Sequence, residues 1–326
     1  MKNSAAESLK SRKKRKRKKK GKIVQLLEYG AVYALLPLFR IIPLRGIHIF
    51  SSFLGNLLYL LLKGRRKIAT ENLRNALGHE KNEGEIGRIA RRSFKFFILT
   101  CLEIVKFHHV FTKDPRKILR RVSRDTEILL QKVKEVHEES GGCIFVTPHI
   151  GNWELLPHVA SLLRIPLVVV VRPLDNAYLE RLVYKERADT GQIIIPKKNA
   201  FFMLKKALQQ GKSIGILPDQ STQQGISVNF FGRKAWTTPA PAVLAVLYKR
   251  PIVVVACCHG ENGYDLEGIV SDPLWPGTYE SEKEEIFRLT EEMNKKIEDV
   301  IRRYPDQYFW VHNRWKTYRS SRERFR

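Results

Sequence analysis

A histidine and a glutamate five residues apart, His149 and Glu154, are the residues in this 326-residue chain best suited to chemistry. On a regular α-helix that spacing separates two side chains by about 140°, so a continuous helix would keep them apart. A strand, a turn and the start of a helix would bring them together, and Gly151 and Asn152 supply the backbone freedom and the helix cap that such a turn requires. A carboxylate bonded to one imidazole nitrogen makes the other a better base for a hydroxyl that attacks an ester or thioester. A histidine that only stabilises the turn is the alternative.

The sequence around this pair alternates between short apolar runs and longer amphipathic segments. Runs typical of buried strands lie at 143–147, 167–171, 213–217, 252–256 and 264–270. Candidate helices lie at 154–163, 176–190, 200–210, 239–248 and 281–303. This alternation predicts an α/β fold with a mixed, largely parallel sheet flanked by helices. Such sheets bind ligands at the carboxyl ends of their strands, which is where the His149 turn would lie.

Two apolar segments, residues 23–39 and 47–62, come before this alternating region. At about 1.5 Å per residue each reaches roughly 25 Å, which is short of a hydrocarbon core of about 30 Å. No small-residue cleavage site follows the first segment, so a removable signal peptide is not expected. The pattern favours two amphipathic helices that lie in the membrane interface, while two helices packed on a soluble core are the alternative. Helical spacing continues at 66–77 and 86–107, so residues 23–110 are predicted to be a helical, membrane-associated region.

The charge balance is strongly basic, with 59 Lys and Arg residues against 33 acids and a net charge of +26. Residues 1–22 hold 12 basic side chains and one acid, so this segment carries +11 and the remaining chain +15. The tail is expected to be disordered in isolation and to bind anionic lipid headgroups, with about 1 kcal/mol for each basic residue. A basic nucleic-acid-binding protein is the alternative of another class. A nucleic-acid partner is not expected, because the apolar segments would make such a protein poorly soluble.

The remaining composition excludes several other classes of protein. With 43% hydrophobic residues the chain can bury a sizeable core, so it is not wholly disordered. Its four cysteines show no CxxC spacing, which argues against a disulfide framework or a zinc-finger site and favours a reducing compartment. The glycine-rich motifs that cradle phosphates are also absent from the sequence.

The HIGNWE segment fits the HX4(D/E) motif of glycerolipid and lipid A acyltransferases, and the wider pattern resembles the late acyltransferases of lipid A biosynthesis. The resemblance covers roughly residues 23–318. Its blocks are the N-terminal hydrophobic segment, RKIATENLRNAL, TPHIGNWE, VVVVRPLDN, GILPDQ, NFFGRKAWTTPAPAVLA and YPDQYFWVHNRWK. The resemblance implies a glycerolipid acyltransferase-like domain in which His149 is the general base and Glu154 its orienting partner. It also implies that neither a metal ion nor an organic cofactor is needed.

The same resemblance implies a set of substrate-binding residues. The set is Arg172, Asp219, Gln220, Arg233, Arg314 and Lys316. A guanidinium at Arg172 suits a lipid phosphate, with an ion pair to Asp175 as the alternative. Asp219 and its neighbour would order the site or bind the acceptor sugar, although Asp219 could equally cap a turn. The last two members belong to an aromatic and basic block that suits a phosphate-bearing lipid at an interface.

These features predict an O-acyltransferase that moves a fatty acyl chain from a thioester to a hydroxyl of a lipid A precursor in lipopolysaccharide biosynthesis. The resemblance implies acyl carrier protein as the donor, and the +15 body gives a physical basis for steering this acidic partner. Relatives that acylate phosphatidylinositol mannosides make another glycolipid, with acyl-CoA as donor, the alternative. The predicted location is the inner membrane, with the catalytic domain facing the cytoplasm. The predicted division is a disordered tail at 1–22, the helical region at 23–110 and the acyltransferase domain at 111–326.

Overall fold

Ten α-helices and eight strands lie in the part of the chain that the computed structural model describes, which is residues 21–113, 121–122, 124–171, 174–189, 192–196 and 200–318. The helices are α1 (Lys22–Ile41), α2 (Leu44–Leu61), α3 (Lys63–Leu77), α4 (Glu83–Lys113), α5 (Arg124–Ser140), α6 (Leu156–Leu162), α7 (Ala177–Asp189), α8 (Ala200–Gln209), α9 (Ala240–Tyr248) and α10 (Glu282–Arg303). The strands are β1 (Ile144–Val146), β2 (Leu167–Val171), β3 (Ile193–Pro196), β4 (Ser213–Ile216), β5 (Ile226–Phe230), β6 (Arg233–Thr237), β7 (Ile252–His259) and β8 (Leu266–Val270). Single turns of 3-10 helix occur at Trp153–Leu155 and Pro305–Gln307.

Six of these strands form one sheet in the order β3-β2-β4-β1-β7-β8. The first five run parallel, and β8 is antiparallel to β7. All residues of β1 and β7 are buried. On β1, Ile144 and Val146 belong to the main core while Phe145 belongs to a second cluster, so apolar residues cover both faces of the sheet. The predicted mixed, largely parallel sheet flanked by helices is confirmed.

Four elements are missing from the sequence-based prediction. β3 is only four residues long and ends in a proline, which makes a weak strand signal. Helix α5 lies in a stretch for which no element was predicted. β5 and β6 form a hairpin whose two-residue turn, Phe231–Gly232, has positive φ at both positions. Asn or Gly usually occupies the first of these positions, so the phenylalanine conceals the turn.

The first two helices expose much of their apolar surface. By length and composition, both are long and apolar enough to cross a membrane. Only 6% of the residues in the most apolar stretch of α1 are buried, and 22% of those in α2. At about 1.5 Å per residue, the 20-residue α1 reaches roughly 30 Å, longer than predicted, because it begins at Lys22 and continues to Ile41. These helices are compatible with a membrane-associated region, and an orientation in the plane of the interface stays a prediction.

One face of α2 packs closely on α4. Gly55 makes this approach possible, because a Cβ at that position would lie 2.6 Å from the Cα of Lys95. Leu73 and Leu77 of α3 and Phe94 of α4 belong to the same buried cluster as the sheet. The helical region and the sheet therefore share one core in the described residues. The proposed division at residue 110 stays a proposal, and most of the predicted tail lies outside those residues.

Candidate active site

His149 lies in the turn that follows β1, at the carboxyl end of the sheet. Gly151 has a φ of +53°, and a Cβ there would lie 2.1 Å from the carbonyl oxygen of Cys257, so only glycine fits. The 3-10 turn that carries Glu154 begins two residues later. The predicted order of strand, turn and helix is confirmed.

The turn that carries His149 is fixed in position by a buried polar cluster. The predicted side-chain cap from Asn152 is wrong, because its amide donates instead to the Glu103 carboxylate at 3.0 Å. His259 Nε2 lies 3.0 Å from the same carboxylate, and the side chains of Glu103 and His259 are both fully buried. Burial opposes ionisation of Glu103, but His259 and Asn152 outweigh it and hold the pKa of the carboxyl below its usual value. Since Glu103 lies on α4 and His259 on β7, two elements fix the position of the turn.

The carboxylate bonded to the His149 ring belongs to Asp219, which follows β4. Asp219 Oδ1 lies 2.7 Å from His149 Nδ1, and Oδ2 accepts the His149 backbone N–H at 2.9 Å. An ionised carboxylate only accepts hydrogen bonds, so the ring proton resides on Nδ1 and Nε2 keeps its lone pair. Asp219 is brought here by the sheet, because β1 and β4 are parallel neighbours.

The electrostatics of the pair favour a basic imidazole. Burial works against a charged ring at His149, but the Asp219 carboxylate outweighs it and raises the pKa of His149. Burial likewise opposes ionisation of Asp219, and its contacts with His149 lower the pKa of that carboxyl. The His149 side chain is 20% exposed while that of Asp219 is 2% exposed, so only the imidazole is accessible. The pair has the arrangement of a general base with a buried orienting group.

Glu154 makes a different contact from the predicted one. Its Oε2 lies 2.6 Å from Nη2 of Arg187, which is on α7. The predicted hydrogen bond between the His149 ring and the Glu154 carboxylate is therefore wrong, because Asp219 occupies Nδ1 and Arg187 draws Glu154 toward α7. The Glu154 charge still raises the pKa of His149, after the stronger effects of burial and Asp219.

We expect Glu154→Gln to reduce acyl transfer about 10- to 100-fold without abolishing it, because loss of the Arg187 ion pair would loosen one wall of the site. Steady-state kinetics of the purified variant would measure the loss. Glu180→Gln, on the same helix as Arg187, is the control and should match the parent. A loss as complete as that of a His149 variant would contradict a supporting role for Glu154.

A cleft of about 680 Å³ opens beside the imidazole. His149, Glu154 and Gln220 line it together with Arg187. Its floor is the carboxyl-end half of β2 and β4, and apolar side chains of α8 form another wall. The Gln220 amide nitrogen lies 3.4 Å from His149 Nε2, a weak contact that a substrate hydroxyl can displace. A cleft with apolar walls and a few polar groups at one end suits a long acyl chain with a reactive head.

Of the other predicted substrate-binding residues, those that the structure describes do not line this cleft. Arg172 lies outside the described residues. Arg314 is 2% exposed and donates to the Trp236 carbonyl at 2.9 Å, so it supports the fold behind Asp219. Arg233 is exposed at the hairpin and donates to Asn75, and Lys316 is exposed with its ammonium 5.2 Å from the Tyr318 ring. Substrate contacts from these residues stay predictions.

Three residues that the sequence did not single out surround the pair. Arg187 holds Glu154, and the rings of Trp153 and Phe309 lie 5.3 Å and 6.2 Å from the His149 ring. Trp153 could have been found, because it sits inside the HIGNWE segment. Phe309 likewise lies inside the YPDQYFWVHNRWK segment. Arg187 is one of several charged residues on an ordinary helix, and no local pattern marks it. Within the described residues, no group of three or more His, Cys, Asp or Glu is placed to hold a metal ion.

Comparison with known proteins places these features in a family context. The sequence model of the family described as bacterial lipid A biosynthesis acyltransferase matches residues 16–317. The chain is 25% identical over 281 residues to a lipid A biosynthesis lauroyltransferase of Escherichia coli (strain K12), covering 85% of this chain and 87% of the relative. It is 27% identical over 199 residues to a lipid A biosynthesis palmitoleoyltransferase of the same organism, covering 58% and 60%. A phosphatidylinositol mannoside acyltransferase of Mycolicibacterium smegmatis is 21% identical over 179 residues, covering 53% and 57%.

Proposed function

The chain belongs to the bacterial lipid A biosynthesis acyltransferase family and is an acyltransferase, and we propose that His149 is the general base of its transfer reaction. The single observation that carries this proposal is the His149 imidazole, bonded through Nδ1 to the buried Asp219 carboxylate beside the cleft. That bond holds the lone pair on Nε2, the atom that must receive a proton.

The reaction exchanges one acyl bond for another. An acceptor hydroxyl gives its proton to His149 Nε2 as its oxygen attacks the carbonyl carbon of an acyl thioester. The carbon–sulfur bond then breaks, and the leaving sulfur takes the proton back from the imidazolium. The products are an ester and a free thiol, and His149 returns to its starting state. Asp219 stabilises the imidazolium between the two steps, and Gln220 supplies an amide beside the reacting atoms.

The donor in this proposal is acyl carrier protein, and the acceptor is a hydroxyl of a lipid A precursor. The +15 charge beyond residue 22 would attract an acidic carrier protein. The exposed apolar surfaces of α1 and α2 support work at a membrane surface, which we propose to be the cytoplasmic face of the inner membrane. Another glycolipid acceptor with acyl-CoA as donor is a second candidate, favoured by the phosphatidylinositol mannoside acyltransferase among the relatives.

Mass spectrometry of glycolipids from cells with and without the gene tests this function. We expect lipid A from the deletion strain to lack one secondary acyl chain, and the mass difference would identify that chain. Purified protein should then transfer the same chain from acyl carrier protein to the isolated precursor. Unchanged lipid A together with the loss of a chain from another glycolipid would contradict the proposal and favour the second candidate.

A further inference from the structure

A second opening, separate from the cleft, lies on the other side of Phe309. It is a groove of about 360 Å³ between α2, α4 and the segment 309–312, here called the α2–α4 groove. The Phe309 backbone N–H donates to the His149 carbonyl at 2.9 Å, and its ring lies 4.9 Å from Phe97 on the groove side. One aromatic ring therefore separates the α2–α4 groove from the proposed catalytic imidazole.

The groove is also connected, through His312, to the polar segment of Gln220 and Ser221 beside His149. His312 lines the groove, and its Nε2 accepts the backbone N–H of Ser221 at 3.1 Å. Burial lowers the pKa of His312, in agreement with a neutral ring that accepts this bond. Since Ser221 follows Gln220 directly, the inner end of the groove lies next to the amide that contacts His149 Nε2.

The walls of the groove are continuous with the apolar surface of α2. Leu58 of α2 and Leu62, which directly follows α2, line the groove, and Leu60 and Leu61 of α2 are exposed by 58% and 65%. The sequence from residue 46 to residue 62 contains no charged side chain. A hydrocarbon chain could therefore move from a bilayer against α2 into the groove without crossing a charged surface.

An arginine lies at the end of this apolar surface. Arg65 lines the groove, is exposed, and uses Nη1 to donate to the Val311 carbonyl at 3.2 Å. A guanidinium has five N–H donors, so this contact leaves enough of them for a phosphate bound in bidentate fashion. Apolar walls with a cation at the mouth match a lipid that carries a phosphate on its head group.

We propose that the α2–α4 groove binds one acyl chain of the phosphorylated glycolipid acceptor, with the lipid phosphate on Arg65. This inference rests on the proposed function and deepens it, because it leaves the 680 Å³ cleft for the acyl chain of the donor. The acceptor is a resident of the bilayer, so it should enter beside α2, whereas the donor arrives on a carrier from water. The two substrates then approach His149 from opposite sides of Phe309.

Equilibrium binding to the His149→Ala protein tests this assignment without turnover. The probes are a diphosphorylated glucosamine disaccharide lipid in nonionic micelles and an acyl thioether of the phosphopantetheine arm, which stands for the donor. Leu62→Trp, which fills the groove, and Arg65→Gln should each weaken binding of the lipid at least tenfold. Leu61→Trp, one position away on the exposed face, and Lys67→Gln, an equal loss of charge outside the groove, should stay within twofold.

A dephosphorylated lipid probe completes the experiment. Arg65→Gln should lose its effect with this probe, whereas Leu62→Trp should keep it. Unchanged affinity in both groove variants, equal losses in the two control variants, or weakened binding of the thioether instead of the lipid would each overturn the inference. Failure of the proposed function has a different signature, because the parent protein would then bind the lipid probe without acylating it.

Discussion

His149→Ala is expected to lower the rate of acyl transfer by about 10⁴-fold, because it removes the group that we propose accepts the proton of the attacking hydroxyl. Among the described residues, Nε2, the ring nitrogen that would act, has only a weak hydrogen-bond contact, at 3.4 Å to Gln220, so its lone pair is available to a substrate. Transfer by the purified variant from acyl carrier protein to the lipid A precursor is the measurement. The release of free thiol from the donor should fall in parallel.

The loss must be separated from a loss of folding. His149→Ala leaves the buried Asp219 carboxylate without its ring partner, so His149→Asn, which keeps an N–H near Asp219, is a second variant with the same expected loss of transfer. His79→Ala, on the exposed loop after α3, is the matched control and should transfer at the parental rate. Thermal unfolding of His149→Asn and His79→Ala should be similar to that of the parent, whereas His149→Ala should unfold at a lower temperature. Sedimentation with anionic vesicles should be similar for all three. Parental turnover in either His149 variant would refute the role of general base.

Asp219→Asn should produce the second-largest loss, about 10³-fold in transfer rate at neutral pH. The asparagine has nearly the same shape as the aspartate, but its amide can donate to Nδ1. That donation would move the ring proton to Nε2, where it blocks proton uptake. The negative charge that stabilises the imidazolium would also be lost.

A control for this variant must alter a buried polar contact away from the ring. Thr237→Val removes a hydroxyl that accepts from Arg314 Nη2 at 2.6 Å, so it perturbs the region behind Asp219 but leaves the carboxylate in place. The variant is expected to lose stability while keeping most of its transfer rate per folded molecule. If Asp219→Asn transferred at the parental rate, the proposed role of Asp219 in orienting His149 would be wrong.

The location of the site was predictable from sequence because it depends on local patterns. A buried run that ends in a polar turn with Gly151 and Asn152 indicates a strand followed by a helix, and the structure has both. Chain direction alone then places His149 at the carboxyl end of the sheet. The alternation of strands and helices also predicted the fold class, although it missed β3, α5 and the β5–β6 hairpin.

The partner of the imidazole was not predictable, because it depends on strand order. Glu154 is close to His149 in sequence, whereas Asp219 is 70 residues away and reaches it only because β4 pairs with β1. No sequence pattern within β1 or β4 predicts that the two strands are neighbours in the sheet. Asp219 belonged to the predicted site, but its role in binding the ring became visible only in three dimensions.

Charged residues were the least predictable part of the site. The sequence groups Arg314 and Lys316 in one aromatic and basic block, yet Arg314 is buried behind Asp219 and Lys316 is exposed. Arg187 lies in an unremarkable helix and pairs with Glu154 in the wall of the cleft. A long cationic side chain reaches in any direction that packing allows, so its position in sequence fixes little about its contacts.

The pH dependence of kcat/KM for the acceptor, measured in the parent, in Asp219→Asn and in Glu154→Gln, tests the central claim most directly. The base must be neutral to act, so the rate falls as the pH drops through the pKa of His149, which Asp219 raises above its usual value. Without that carboxylate, burial dominates and the pKa falls. We therefore predict that the acid limb moves to lower pH in Asp219→Asn and moves much less in Glu154→Gln. An unmoved limb in Asp219→Asn, or an equal shift in Glu154→Gln, would contradict the claim that Asp219 sets the basicity of His149.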